Sequence, residues 1–196
     1  PSNTALCVGP NIEYLKVESV NPYTKEPAIY LVAKALLDAH FNDKNPFRVL
    51  GKPIKGKELA GIRYEQLFPW VKCPEGAHKV ILGDFVTTED GTGIVHIAPT
   101  FGADDDKVAK ANGVPPLIMV DAAGLNQAMV DPTGKFYAIE DLDSRFVAER
   151  VNVEKFSKYA VRYVKNRSYS FFTYLSAYLP YSSSFIRYAL NNGSSA

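Results

Sequence analysis

The sequence predicts a mixed, mainly β fold: a barrel-like domain of short strands with α-helices at its periphery. Short apolar runs rich in β-branched residues recur along the first half of the chain, and turns containing Gly or Pro separate them. Only a few stretches have the period of an amphipathic helix. Strands in this number are typical of a closed or nearly closed barrel, although periodicity alone establishes only a strand-rich mixed domain.

Length and composition indicate an ordinary globular domain. The chain has 196 residues, of which 46% are hydrophobic and 22% charged, enough for one domain with a substantial core. Its formal net charge of +1 does not announce a nucleic-acid-binding surface. The charge nevertheless excludes neither RNA nor a small ligand as a partner.

Cysteine and histidine are too few and too scattered to predict a metal site or a disulfide framework. Cys7 and Cys73 form no C-x-x-C pair, and His40, His78 and His96 have no zinc-ligand spacing. The sequence shows neither a signal-peptide pattern nor a long apolar run, so we expect a cytoplasmic chain without a membrane partner.

In the first half of the chain, turn residues divide the apolar runs into separate strands. Gly9-Pro10 and the proline-rich segment 21–27 are the clearest of these turns. A short helix is predicted over residues 33–41. Strands are predicted over residues 4–8, 12–20, 28–32, 47–54 and 79–82, with the fourth weakened by Pro53.

The second half alternates helices with turns. Residues 117–120 predict a buried strand, and residues 121–124 and 131–134 predict turns. Asp143 can cap a helix that runs through residue 150, and Asn152 can cap another that runs through residue 165.

The most informative stretch runs from residue 86 to residue 106. A short apolar strand over residues 93–98 contains His96, and Pro99 ends it because proline lacks an N–H group. Asp104, Asp105 and Asp106 then open a helix that ends at Gly113. His96 and Asp105 are nine positions apart, so this geometry can direct both side chains into one pocket.

Each of these features also has a purely structural interpretation. A lone histidine in a strand is most often a core residue, and acids at a helix start are most often caps. The three consecutive aspartates diverge around a helix, so we expect no metal site there. The Gly-Thr-Gly segment lacks the spacing of a phosphate-binding loop.

A resemblance favours the functional interpretation. The run G-T-G-I-V-H-I-A-P-T-F-G-A-D-D at residues 91–105 resembles the signature of the editing (connective polypeptide) domain of class I isoleucyl-tRNA synthetases. The resemblance covers about residues 1–166. Other segments that fit are P-S-N-T-A-L, N-P-Y-T-K-E-P, G-K-E-L-A-G-I-R-Y-E-Q-L-F-P-W, V-I-L-G-D-F-V-T-T-E-D, M-V-D-P-T-G-K-F and Y-A-V-R-Y-V-K-N.

That resemblance implies a barrel-like editing domain that hydrolyses mischarged Val-tRNA(Ile), an aminoacyl-tRNA hydrolase activity within a ligase. Asp105 matches the carboxylate that binds the substrate's α-ammonium, and His96 matches the strand residue that rejects isoleucine. The expected partners are the aminoacyl-adenosine end of the tRNA and the rest of the synthetase, with no DNA, no metal and no cofactor in this domain. The remaining substrate-binding residues implied are Asn3, Ala98, Pro99, Phe101 and Gly102.

Two alternatives stay open. In this resemblance the family's threonine-rich segment lies upstream of residue 1, so the chain is alternatively a catalytically incomplete module that only binds the tRNA 3′ end. A valyl-type editing domain is the second alternative, disfavoured because valyl enzymes tend to carry Lys at the position of His96.

Residues 167–196 are rich in Tyr, Phe and Ser and do not match the family, so we assign them to a separate C-terminal segment with a flexible end.

Overall fold

A computed structural model describes residues 2–66, 68–158 and 160, and these separate into two compact units. The helix unit comprises the described residues of 2–5, 66–78 and 97–160. The sheet unit comprises residues 6–65 and 79–96. The predicted boundary between 1–166 and 167–196 lies outside the described residues and stays a prediction.

Strands hold more of the described residues than helices do, which confirms the mixed, mainly β class with additional helices. Two short 3₁₀ helices cover Lys34–Leu36 and Ile139–Asp141. The helices are α1 Leu37–His40, α2 Gly56–Leu59, α3 Ala103–Ala111, α4 Ser144–Arg150 and α5 Val153–Ser157. The strands are β1 Ala5–Val8, β2 Glu13–Val20, β3 Pro27–Ala33, β4 Phe47–Lys55, β5 Lys79–Leu82, β6 Ile94–Ile97, β7 Met119–Val120 and β8 Asn126–Gln127.

The strands form three sheets, with orders β5-β1-β6, β3-β2-β4 and β7-β8. Strand β2 lies in the middle of its sheet and pairs antiparallel with β3 and β4, with Val17 opposite Tyr30 on one side and Val49 on the other. Each sheet is open within the described residues, so closure into a barrel is not observed among them. The core of the sheet unit is built from Tyr14, Leu15, Val17, Tyr30, Val32, Leu36, Phe41 and their neighbours.

Strand β4 continues through Pro53, which the sequence predicted would weaken it. The register shifts between the pairs Lys16–Leu50 and Tyr14–Ile54, so three residues of β4 stand opposite one residue of β2. Gly51 opens this bulge with φ +73°. Because β4 is an edge strand and Pro53 lies within the bulge, the missing N–H leaves no ladder bond unmade.

A buried tyrosine hydroxyl joins three segments of the sheet unit. Tyr14 is fully buried, and its hydroxyl donates to the Gly93 carbonyl at 2.6 Å and accepts from the Gly9 N–H at 3.0 Å. Burial raises the pKa of Tyr14, so the hydroxyl stays protonated and able to donate. Gly93 has φ +73°, and a Cβ there would lie 2.5 Å from the Ala33 Cβ, so only glycine fits.

The helix unit has its own aromatic core, and its caps match those predicted. Trp70, Phe136 and Phe156 pack edge to face, with centroids 5.4 and 6.3 Å apart. Asp143 accepts from the Phe146 N–H at 2.7 Å, and Asn152 accepts from the Lys155 N–H at 3.0 Å. Both predicted helix starts are therefore confirmed.

The two predicted aspartate turns of the helix unit are also present. Hydrogen bonds from the Leu125 N–H and Gln127 amide lower the pKa of Asp121 below its ordinary value. The pKa of Asp131 is lowered for the same reason, and the hydrogen bond from the Thr133 hydroxyl has the largest effect. Each carboxylate thus fixes the loop that follows it.

Several boundaries differ from the sequence prediction. Helix α2 and strand β8 were not predicted, because each is too short for a periodic pattern. The buried strand predicted over residues 117–120 is shortened to Met119–Val120, and helix α5 ends at Ser157 rather than near residue 165. Residues 159 and 161–165 of that predicted helix lie outside the described residues. Among the described helices, none is both long and apolar enough to cross a membrane.

We predict that Tyr14→Phe lowers the free energy of unfolding by about 1–3 kcal/mol, because it leaves buried backbone groups of Gly9 and Gly93 without their side-chain partner. Urea unfolding of the purified chain measures this change. The control is Tyr23→Phe, at a tyrosine that is 60% exposed. A Tyr14→Phe variant as stable as that control would contradict the prediction.

Candidate functional site

A tight turn connects the end of β6 to α3 in the helix unit. The Ala98 carbonyl accepts from the Phe101 N–H at 3.0 Å and from the Gly102 N–H at 3.4 Å. Ala98 and Pro99 are buried, whereas Phe101 is 56% exposed. Strand β6 ends at Ile97, one residue before the predicted end at residue 98, and Pro99 lies in the turn that follows.

The Asp105 carboxylate closes this turn. Its Oδ2 accepts from the Ala98 N–H at 2.8 Å, and the side chain is half-buried. Within the described residues, Oδ1 of Asp105 makes no hydrogen bond. Gly102 lies directly against this side chain, because a Cβ added there would stand 3.2 Å from the Asp105 Cγ. Sequence reasoning predicted the aspartate but missed its bond to the strand end.

The side chains of the three consecutive aspartates have different surroundings. Asp104 is exposed, Asp105 binds Ala98, and Asp106 pairs with Lys110 at 2.6 Å one helical turn further on. Within the described residues no group of three His, Cys, Asp or Glu side chains is placed to hold a metal ion. The absence of a metal from the site stays a prediction.

Most of the predicted site residues share the helix unit. Asn3 belongs to it and donates its side-chain amide to the Ala5 carbonyl at 2.8 Å. Ala98, Phe101 and Gly102 are joined by the turn, and Asp105 is bonded to it. The structure therefore brings Ala98, Phe101, Gly102 and Asp105 together, and the functional role of each stays a prediction.

His96 lies on β6 in the sheet unit, and its side chain is exposed. The alternative of a buried core histidine is therefore wrong. The neighbouring apolar residues Ile94 and Ile97 are the ones that enter the core, at 7% and 0% exposure. Since His96 and Asp105 belong to different units, a shared pocket for the two side chains stays a prediction.

Cys73 does not have the properties of a nucleophile. Burial raises the pKa of its thiol to about 11, and nearby Arg150 offsets this only in part. Its sulfur lies 3.8 Å from Nε2 of His78, a contact between two largely buried side chains. The thiol is therefore protonated at neutral pH.

The turn is accompanied by polar side chains that sequence reasoning missed. The hydroxyl oxygens of Ser2, Thr4 and Thr100 are buried and have no hydrogen-bond partner within the described residues. Thr4 is fully buried and Ser2 is 3% exposed. Ser2 and Thr4 lie two positions apart, the spacing at which side chains of a strand face the same side, and this was the available signal for that pair.

Curated relatives of this chain are isoleucine–tRNA ligases. The chain is 56% identical over 181 residues to the enzyme of Bacteroides fragilis and 53% identical over 182 residues to that of Porphyromonas gingivalis. Each match covers 85% of this chain but only 16% of the relative. The ligase of Thermoplasma volcanium is 48% identical over 124 residues, or 63% of this chain and 11% of that protein.

Family models and solved structures give no further assignment of the chain. No family model matches the chain. Among solved structures, the crystal structure of GlLeuRS-CP1 has a TM-score of 0.38 and 18% identity, covering 64% of this chain and 53% of that one. A score at this level does not establish a shared fold.

We predict that Asp105→Ala lowers the free energy of unfolding by about 1–3 kcal/mol, because the buried Ala98 N–H loses its acceptor. Asp105→Asn retains an amide oxygen in nearly the same place, so it should cost much less. Urea unfolding of both variants measures the difference. An Asp105→Ala variant as stable as the unsubstituted chain would show that the Ala98–Asp105 bond contributes nothing.

Proposed function

This chain belongs to the isoleucine–tRNA ligase family and spans about 16% of the length of the Bacteroides fragilis and Porphyromonas gingivalis ligases. We propose that it is the editing segment, which hydrolyses valine wrongly esterified to tRNA(Ile). The reaction adds water across the ester. A hydroxyl forms a bond to the carbonyl carbon, the bond to the ribose oxygen breaks, and that oxygen takes up a proton. Free valine and uncharged tRNA are the products.

The need for this reaction follows from the energetics of side-chain recognition. One methylene in an apolar pocket is worth only about 1–3 kcal/mol of discrimination, a limit for which isoleucine against valine is itself the standard illustration. A second site that admits valine and excludes isoleucine overcomes that limit. Such a site removes the wrong product after it has been attached to tRNA.

The observation that carries the proposal is the geometry of Asp105. The Ala98 N–H holds one carboxylate oxygen, so the second oxygen has a defined direction. A carboxylate fixed in this way is suited to the α-ammonium of an aminoacyl ester, with which it forms a charge-assisted hydrogen bond. This contact would fix the orientation of the ester relative to the attacking water.

The other turn residues have roles that fit their exposure. The half-exposed ring of Phe101 offers an apolar face to the terminal adenosine. Ala98 and Pro99 are buried, so they define the wall of the site through the backbone. Asn3, whose side-chain amide donates to the Ala5 carbonyl, supplies a polar group of the same unit. Gly102 leaves the space that the Asp105 side chain occupies.

The site requires no covalent nucleophile. An aminoacyl ester is already reactive, so positioning of the ester and of a water is sufficient. The protonated thiol of Cys73 is not needed for this chemistry. We propose no metal or cofactor for the segment, the 3′ end of the tRNA and the remainder of a ligase as its partners, and the cytoplasm as its location.

Hydrolysis of Val-tRNA(Ile) tests the proposal against a segment that only binds the tRNA 3′ end. We predict hydrolysis by a full-length ligase of this family that carries the chain as its matching segment. Asp105→Asn should reduce kcat/KM by about 10–150-fold, since a charge-assisted bond contributes about 1.5–3 kcal/mol. The matched control is Asp104→Asn, at the exposed neighbouring carboxylate, which should retain activity.

Binding of Val-tRNA(Ile) without hydrolysis would favour the binding-module alternative. Preferred hydrolysis of Thr-tRNA would favour the valyl type of editing. Equal changes of kcat/KM in Asp105→Asn and Asp104→Asn would show that Asp105 does not bind the ester.

A further prediction concerns the exclusion of isoleucine by His96. We propose that the exposed imidazole occupies the space that the isoleucine δ-methyl group would need. His96→Ala should then increase hydrolysis of correctly charged Ile-tRNA relative to Val-tRNA by about 10–200-fold, the range that one methylene allows. The measurement is the ratio of the two hydrolysis rates in the same full-length ligase.

His40→Ala provides the control for this prediction, because His40 is another histidine of the sheet unit, bonded through Nε2 to the Gly91 carbonyl at 2.5 Å. That variant should leave the ratio of rates unchanged. An unchanged ratio in folded His96→Ala would exclude His96 from the discrimination between valine and isoleucine.

A further inference from the structure

Three buried hydroxyl groups of the helix unit lack a hydrogen-bond partner within the described residues. They belong to Ser2, Thr4 and Thr100. Unpartnered buried hydroxyls are uncommon because they lose their hydration without a replacement bond. Two of the three belong to side chains more than nine-tenths buried, Ser2 and Thr4. Their occurrence in one unit with Asp105 requires a physical explanation.

The backbone holds the Thr4 side chain in place. Its N–H donates to the Ile97 carbonyl at 2.9 Å, and its carbonyl accepts from the His78 N–H at 2.6 Å. With both backbone groups engaged, the fully buried Thr4 cannot move out to solvent without breaking these bonds. The polar group is thus retained beside the end of β6.

Thr4 is connected to the Asp105 carboxylate through consecutive residues. Ile97 accepts the Thr4 bond, and the next residue, Ala98, donates to Asp105 at 2.8 Å. Thr100 lies within the turn that the Ala98 carbonyl closes. A change in the position of this strand end therefore changes the position of the carboxylate.

We propose that Thr4 and Thr100 are positioning residues for the ester hydrolysis: their hydroxyls bind an internal water that fixes the turn 98–102 and, through it, Asp105. Ser2 carries a further buried hydroxyl of this unit without a partner in the described residues. Internal waters bind where two to four buried polar groups have no protein partner. The inference rests on the proposed editing function, because its consequence is a change in how the ester is oriented.

Isosteric variants separate the hydroxyl from the shape of the side chain. Thr4→Val keeps the shape and removes the hydroxyl, whereas Thr4→Ser keeps the hydroxyl and removes the methyl group. In the full-length ligase carrying this chain, Thr4→Val should lower kcat for Val-tRNA(Ile) hydrolysis about tenfold with little change in KM, since small misplacement of a reacting group is costly. Thr4→Ser should restore kcat.

Thr100→Val and Thr100→Ser form a second pair, which decides the question if Thr4→Val does not fold. The matched control is Thr92→Val, because Thr92 carries a buried hydroxyl without a partner in the described residues but belongs to the sheet unit. That control should leave kcat unchanged. Thermal melting of each variant confirms that it is folded.

The outcomes distinguish this inference from the proposed function. If the unsubstituted protein does not hydrolyse Val-tRNA(Ile), the proposed function fails and the inference fails with it. If it does, and folded Thr4→Val and Thr100→Val both retain the full kcat, the inference alone is overturned. A loss of kcat in the valine variants that the serine variants restore supports it.

Discussion

One hydrogen bond, from the Ala98 N–H to the Asp105 carboxylate, determines how the end of β6 is joined to the start of α3. This bond favours the conformation in which the half-buried carboxylate packs against Gly102 over one in which it extends into solvent. Pro99 contributes because it has no N–H with which to extend the strand, and the Ala98 carbonyl contributes by closing the turn. The direction of the remaining carboxylate oxygen follows from these constraints.

Side chains fix the chain on both sides of β6, each within its own unit. In the sheet unit, the Tyr14 hydroxyl binds the Gly93 carbonyl just before the strand. In the helix unit, Asp105 binds Ala98 just after it. A strand of only four residues gains little stability from its own ladder, so these two contacts define where it begins and ends. Its exposed imidazole, His96, is thereby held on a defined segment of backbone.

Local chemistry allowed the sequence to predict those elements that depend on neighbouring residues. The caps Asp143 and Asn152, the aspartate turns and strand β5 all match the structure. Strand β4 was predicted over residues 47–54 in spite of Pro53, but the bulge that accommodates the proline did not follow from local pattern, because it depends on pairing with β2. Helix α2, with four residues, shows no helical period at all.

The candidate site has the same division between local and non-local information. The motif around His96 and Asp105 drew attention to these two residues, and the resemblance to a family implied their roles, which stay predictions. The bond to Ala98 and the burial of the Thr4 hydroxyl depend on three-dimensional packing, which a motif does not record. The divergence of the three aspartates was predictable, because consecutive helical residues point in different directions.

The proposed hydrolysis depends on binding of the ammonium group of an aminoacyl ester by Asp105. A crystal structure of the chain with a non-hydrolysable valyl-adenosine analogue measures this directly. We expect the analogue's ammonium nitrogen within about 2.7–2.9 Å of an Asp105 oxygen, with the hydrogen bond from the Ala98 N–H intact. An analogue bound elsewhere, or bound with its ammonium group away from Asp105, would contradict it.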